Sequence, residues 1–181
     1  MARPSSDTRQ RIQDVARDLF GEKGVQRTSL QDIASRLGIT KPALYYHFDS
    51  REELVRSILQ PLIDEGERYL AEQEERSVTD PAGPRELLEG YFDFHFRHRA
   101  DLILAVTELT TLADLGLIDK VLAWRDRLAK LVFGPRPTLA QSTRAVIAFG
   151  GLQDCCLQFP DTPYDDLRAA TVTGALAALG L

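Results

Sequence analysis

Apolar residues recur along this chain at helical spacing, with no convincing alternation of apolar and polar positions. Ile12, Val15, Ala16, Leu19 and Phe20 fall at i, i+3, i+4, i+7 and i+8, an apolar stripe on one face of a first helix. Gly21 and Gly24 are expected to end it. Ile33, Leu37, Ile39 and Leu44 then supply contacts for two shorter helices. Leu54, Val55, Ile58, Leu59, Leu62 and Ile63 continue the stripe into a fourth helix, where Pro61 is expected to introduce a kink. A loop is predicted over 77–84, and helices over 85–99, 101–113, 115–133, 138–158 and 163–179.

Capping residues sharpen the first boundaries. Thr28-Ser29-Leu30-Gln31 reads as a capping box with Thr28 as N-cap and Gln31 reaching back, and Ser50-Arg51-Glu52-Glu53 as another. Gly38 suits the left-handed residue after a helix, Thr40 can cap the next one, and Pro42 fits its first turn. Three helix starts in about 25 residues leave this segment little freedom. Ala34 is small where two helices must approach closely, and Lys41, Ala43, Tyr45, Tyr46 and His47 lie on a stub too polar and aromatic to be only packing. The order is that of a helix-turn-helix, with a third helix spanning 41–47.

The first sixty or so residues resemble the DNA-binding domain of TetR-type (tetracycline-repressor-like) bacterial transcription regulators. The resemblance rests on Ala16, Leu19, Phe20 and Gly24, on Thr28-Ser29-Leu30 and Ile33-Ala34, and on Leu37-Gly38-Ile39, Leu44-Tyr45-Tyr46-His47-Phe48 and Glu53-Leu54. It covers a third of the chain; the remainder matches in length and helical character. The resemblance implies an all-α protein, with an N-terminal three-helix DNA-binding domain followed by a larger helical ligand-binding and dimerisation domain. The expected boundaries are 7–50, a connecting helix over 51–76, and 77–181.

Charge agrees with that division. Residues 1–60 hold ten Lys/Arg against eight Asp/Glu, and residues 61–181 hold twelve against nineteen, within a net charge of −5. A local basic face, rather than a basic whole, is what phosphate binding requires. Arg3, Arg9 and Arg11 are candidates for a loose basic arm. Thr28, Thr40, Tyr46, His47 and Arg51 are the phosphate-contact candidates, while Lys41 suits guanine O6/N7, Ala43 a thymine methyl and Tyr45 a base edge or a phosphate. Pro42 completes the DNA-facing set.

Forty-five Leu and Ala against seventeen Val and Ile favour helices for the rest. Tyr91, Phe92, Phe94 and Phe96 crowd several faces of the 85–99 helix. Phe92, His95, Phe96, Leu104, Thr107, Glu108, Trp124, Leu128, Phe149 and Gln153 together suit an apolar small-molecule effector pocket with a few polar anchors. Residues 138–157 carry two charges, Arg144 and Asp154, and none follows Arg168. Those two helices must be covered on more than one face, which a two-fold four-helix interface achieves; a fully internal hairpin in a monomer is the alternative. Leu139, Val146, Gly150, Leu157, Leu167, Thr171, Gly174 and Ala178 are its expected residues.

Other chemistry is poorly supported. No grouping of nucleophile, base and orienting residue and no phosphate-cradling glycine loop is visible, so no catalytic residue and no cofactor is assigned. His95 and His98 have i, i+3 spacing without a third ligand, so no metal is expected. Cys155 and Cys156 are expected as two buried thiols. With no signal peptide or membrane-spanning stretch, the reading is a cytoplasmic homodimer that binds double-stranded DNA, a ligand-responsive repressor acting on a palindromic operator. A constitutive DNA binder, a helical enzyme and a protein-binding adaptor are the alternatives.

Overall fold

The computed structural model describes residues 5–79, 83–107 and 117–181, and every helix and turn named below lies within them. In chain order the helices are α1 (Ser5–Lys23), α2 (Leu30–Leu37), α3 (Lys41–Tyr45), α4 (Arg51–Thr79), α5 (Pro84–Arg97), α6 (Arg99–Thr107), α7 (Leu117–Phe133), α8 (Leu139–Gln158) and α9 (Tyr164–Leu179), with a 3₁₀ turn at Val25–Arg27. The chain divides into two compact units. One comprises residues up to Ile63 with α6 from Ile103, the other Asp64–Leu102 with the helices from α7 onward.

In the first unit the predicted stripe of α1 is the core: Ile12, Ala16, Leu19 and Phe20 are buried with Ile33 and Ala34 of α2 and Leu44 of α3. Gly21 does not stop α1, which runs two residues further to Lys23. Gly24 does, at φ 81°, with its N–H donated to the Phe20 carbonyl at 2.8 Å. Gly38 closes α2 at φ 69°. Its N–H reaches the Ser35 carbonyl at 3.2 Å and that of Ile39 reaches Ala34 at 3.0 Å, the paired bonds of a Schellman ending.

Helix α4 passes through Pro61 without a break and reaches Thr79, so the first three residues of the predicted 77–84 loop are helical. The proline ring is exposed while Ile58, Leu59, Leu62 and Ile63 on either side are buried. Burial of about 1.5–3 kcal/mol per large aliphatic side chain offsets one lost backbone bond.

In the second unit α5 is central. Leu87, Leu88, Tyr91, Phe92, Phe94 and His95 are buried on several of its faces. Helices α8 and α9 form a hairpin that buries Ala145, Ala148, Phe149, Leu152 and Cys156 against Leu167, Thr171, Val172, Ala175 and Leu179. Cys156 is buried and its thiol is pushed up to about 12 by that burial. Cys155, expected to be buried too, is half-exposed because it lies about 100° further round the helix.

Candidate nucleic-acid interface

Helix α3 is held from below and open above. Leu44 and Phe48 are buried, whereas Lys41, Pro42, Ala43, Tyr45 and Tyr46 are exposed, Tyr46 at 83%. The Thr40 hydroxyl oxygen accepts from the Ala43 N–H at 3.3 Å, which leaves its own O–H free to donate outward. Lys41 Nζ stands 5.6 Å from the centroid of the Tyr45 ring, one turn on. Helical geometry ends at Tyr45, two residues short of the predicted 41–47 helix. His47 and Phe48 both turn their N–H groups back to the Leu44 carbonyl, at 2.9 and 3.1 Å. Tyr46 and half-buried His47 therefore sit on the tightened turn that follows, ring edge to ring face at 5.3 Å.

That turn is fastened by a residue not assigned this role from sequence. Arg9, expected in a loose arm, donates from Nη1 to the His47 carbonyl at 2.6 Å. Its guanidinium lies 4.1 Å from the centroid of the Phe48 ring, with Glu53 at 3.7 Å. One side chain thus satisfies a carbonyl left over at the end of a helix and covers the aromatic anchor beneath it. Arg11 is exposed, and Arg3 lies outside the described residues.

Thr28 requires a correction as a phosphate contact. It is 1% exposed, and its hydroxyl donates to the Gly24 carbonyl at 2.9 Å, so its proton is spent inside the fold. The N-cap of α2 is Ser29 instead. Ser29 Oγ accepts from the Asp32 N–H at 3.1 Å, and the Asp32 carboxylate accepts from the Ser29 N–H at 3.0 Å. The box thus closes one residue later than expected, with Asp32 in place of Gln31. Hydrogen bonds from the Ser29 backbone and side chain hold the Asp32 carboxyl below its ordinary range.

Arg51 is half-buried and occupied: it donates to the Val25 and Gln26 carbonyls at 3.4 and 3.3 Å and pairs with Glu52 at 3.3 Å. It braces the 3₁₀ turn against the start of α4. Ser50 Oγ accepts from the Glu53 N–H at 3.0 Å, as its capping box predicts, but the Glu53 carboxylate reaches back to the Asp49 N–H at 2.7 Å. Between the starts of α2 and α4 and the outer face of α3 lies a shallow groove of about 350 Å³, lined by Ser29, Gln31, Lys41, Tyr45 and Arg51 among others. Ser29 and Gln31 are exposed there, and a correct placement of the cap would have put Ser29 among the candidates.

In the second unit, Phe92, His95, Trp124, Leu128 and Phe149 are buried, Gln153 and Phe96 are half-buried, and Leu104 is buried on α6 in the first unit. The Thr107 side chain and Glu108 lie outside the described residues. Tyr91 meets the Phe149 ring edge to face at 5.1 Å and the His95 ring at 4.1 Å. His95 shares a hydrogen bond with the Tyr91 carbonyl at 2.9 Å, and burial pushes its ring down to about 4, so it is neutral at pH 7. His98 turns to Glu65 at 2.9 Å, and among the described residues no group of three or more His, Cys, Asp or Glu could hold a metal ion.

The expected dimer residues divide between two faces. Leu167 and Thr171 are buried inside the subunit, where they pack the α8–α9 hairpin, and so are unavailable to a partner in this conformation. Leu157, Gly150 and Ala178 are half-buried. Leu139, Val146 and Gly174 are exposed, Leu139 at 83%, and Ile147, not among the expected residues, stands beside them at 64%. On α9, Ala169, Ala170, Thr173 and Ala177 are exposed and uncharged as well.

Comparison with known proteins concurs with the head's geometry. The sequence profile of the tetR family of bacterial regulatory proteins matches residues 12–58. The HTH-type transcriptional regulator TtgR of Pseudomonas putida is 36% identical over 90 residues, 49% of this chain and 43% of TtgR. The HTH-type transcriptional repressor KstR2 of Mycobacterium tuberculosis is 33% identical over 104 residues, 55% of this chain and 50% of KstR2. The matched segments thus span about half the length of these relatives or less. In three dimensions the likeness extends further. A transcriptional regulator from Aquifex aeolicus superposes with TM-score 0.72 at 24% identity, covering 92% of this chain and 96% of its own. The structure of KstR2, described as a ketosteroid transcriptional regulator, gives 0.69 at 21%, covering 99% and 95%. No helix among the described residues is long and apolar enough to cross a membrane. The buried stripe of α1, the Gly38 turn and the outward face of α3 all fall within the matched segment, so the head of this chain, residues 12–58, is of the kind found in bacterial regulatory proteins of the tetR family.

Proposed function

We propose that this chain is a transcription regulator that binds a palindromic operator as a homodimer and represses until a small molecule releases it. The observation that carries the reading is the arrangement of α3: its apolar side is sunk in the head, and Lys41, Ala43, Tyr45 and Tyr46 face solvent together. A short helix of that build suits the major groove, with Thr40 and Tyr46 supplying hydroxyls for flanking phosphates. The exposed uncharged surface of α8 and α9 supports a two-fold partner, since small residues permit close helix approach. Aromatic crowding around α5 and the description of KstR2 as a ketosteroid transcriptional regulator support a small-molecule response, and its description as a repressor supports repression. DNA is then the reason to expect the protein in the cytoplasm.

The test is selection of bound fragments from random duplex DNA by the full chain. Two inverted half-sites with centres about 34–36 Å apart are expected. Binding that weakens steeply with salt is expected as well, because phosphate contacts release counterions. No enriched sequence would end the reading. Sedimentation at micromolar concentration checks the dimer, and a monomer there would remove the second half-site.

A further inference from the structure

The turn from α5 into α6 fans Phe96, Arg97, Arg99 and Ala100 around one corner, and Tyr164 at the start of α9 faces them across an open cleft of about 640 Å³. One wall is aromatic. Phe96 meets Tyr164 edge to face at 5.1 Å and Phe92 in a stack at 5.7 Å. The carboxylate on this wall, Asp93, is already occupied: it accepts from the Tyr164 hydroxyl at 2.5 Å and from Arg168 Nε at 3.0 Å. Arg168 also pairs with Glu89 at 3.3 Å, and Arg97 and His98 are both paired with Glu65.

Arg99 is different. Its guanidinium carbon sits 4.3 Å from the centroid of the Phe96 ring, and Nη1 reaches only the Phe96 carbonyl, at 3.5 Å. Among the described residues no carboxylate forms an ion pair with it, although it is half-buried. A guanidinium placed over a ring keeps its N–H edges available in its own plane, and those edges match a carboxylate. A half-buried cation without a counter-charge, set on a flat apolar surface beside an open volume, is the recognition half of an acid-binding site.

We propose that this cleft binds a small organic carboxylate carrying a flat apolar body, the acid group on Arg99 and the body against Phe96 and Tyr164. The inference rests on the cleft alone and does not depend on the DNA-reading head. Naphthoate is a suitable probe, with naphthylmethanol as its uncharged counterpart and acetate as the acid without the body. Calorimetric titration of the full chain should show saturable binding of one naphthoate per chain. Naphthylmethanol and acetate should each bind at least about tenfold more weakly, the scale of one lost charge-assisted contact. Arg99→Gln should weaken naphthoate to the same degree, Arg99→Lys less so, and Phe96→Leu should weaken naphthoate while leaving acetate unchanged. Circular dichroism and the operator-binding assay on the same samples report whether each variant is folded. The proposal is overturned if naphthoate does not bind, if its alcohol binds equally well, or if folded Arg99→Gln binds like the parent. Any of these results with operator binding intact removes this site and leaves the regulator reading standing.

Discussion

Trp124 lays its indole on the backbone of Gly66: a Cβ at that glycine would fall 2.4 Å from Cη2 and 2.8 Å from Cζ3 of the ring. The ring is buried, and its Nε1 donates to Glu67 at 2.8 Å, so it cannot simply swing away. Helix α4 is thereby seated on α7 at one register. Gly66→Ala gains about 1 kcal/mol of helix propensity but forces an overpacking cost of about 1–3 kcal/mol. Net destabilisation is therefore expected in urea unfolding, and in a Trp124→Leu background the same alanine should become neutral or stabilising. A Gly66→Ala chain more stable than the parent would contradict the seating.

The next turn of α7 adds an ionic clamp. Arg127 holds the Glu74 carboxylate with two bonds at 2.7 and 2.8 Å and reaches Glu67 at 2.7 Å. Arg127 hydrogen bonds hold Glu74 below its ordinary range. At Glu67 burial works the other way, but hydrogen bonds from Trp124 and Arg127 outweigh it and the net direction is again down. Carboxyls lowered in the folded chain contribute stability above their ordinary pKa of about 4.3 and lose it as pH falls further. Arg127→Met should therefore flatten the acid limb of a stability–pH curve below about pH 4. An unchanged limb would argue against the clamp.

His95 sets a separate window. Its ring is pushed by burial to about 4 in the folded chain, whereas an unfolded histidine titrates near 6.5. Between those values the unfolded chain takes up a proton that the folded chain refuses. Stability from this group is full above about pH 6.5 and declines toward pH 4, by on the order of 3 kcal/mol. His95→Phe should remove that slope whatever it does to overall stability. Denaturant midpoints from pH 7 to 4.5 decide it.

At the head, Lys41→Ala should cost about 1–3 kcal/mol of operator affinity at fixed salt if Lys41 reads a base. Arg9 provides the contrast. Arg9→Ala should lower the melting temperature and weaken every DNA sequence alike, because it loosens the turn bearing Tyr46 and His47 without touching a base edge. Gel mobility shifts on matched and scrambled operators separate the two patterns. Selective loss in Arg9→Ala would reverse the assignment.

Ile147 is the sharpest probe of assembly. It is 64% exposed beside Leu139 and Val146, with no charged neighbour on that stretch of α8 other than Arg144. If α8 and α9 form the proposed two-fold contact, Ile147→Glu should leave the subunit folded and shift sedimentation to monomer, since an unpaired carboxylate would be buried there. A dimer that survives the substitution would place the contact elsewhere.

Most helix boundaries were readable because the information is local. Gly38 and Gly24 need φ values that side chains resist, and Thr40, Ser50 and Pro42 satisfy or avoid the orphan donors of a first turn. The misplacement at Thr28 shows the limit of such signals. Two adjacent hydroxyl residues are equally good caps by composition, and burial against Leu19 and Gly24 is what selects Ser29. Gly21 does not end α1 because a glycine is held in a helix at modest cost when its neighbours Leu19 and Phe20 are packed.

From the residues in order one can derive nine helical segments' approximate places, the buried stripe of α1, the outward stub of α3 and the uncharged character of α8 and α9, since each depends on spacing within one helix. Long-range partners follow another logic. Arg9 with the His47 carbonyl, Arg127 with Glu74, Trp124 on Gly66 and Arg99 over the Phe96 ring all depend on which helix faces which. Arginine side chains are long and have many carboxylates to choose from, so their pairing is settled by packing rather than by periodicity.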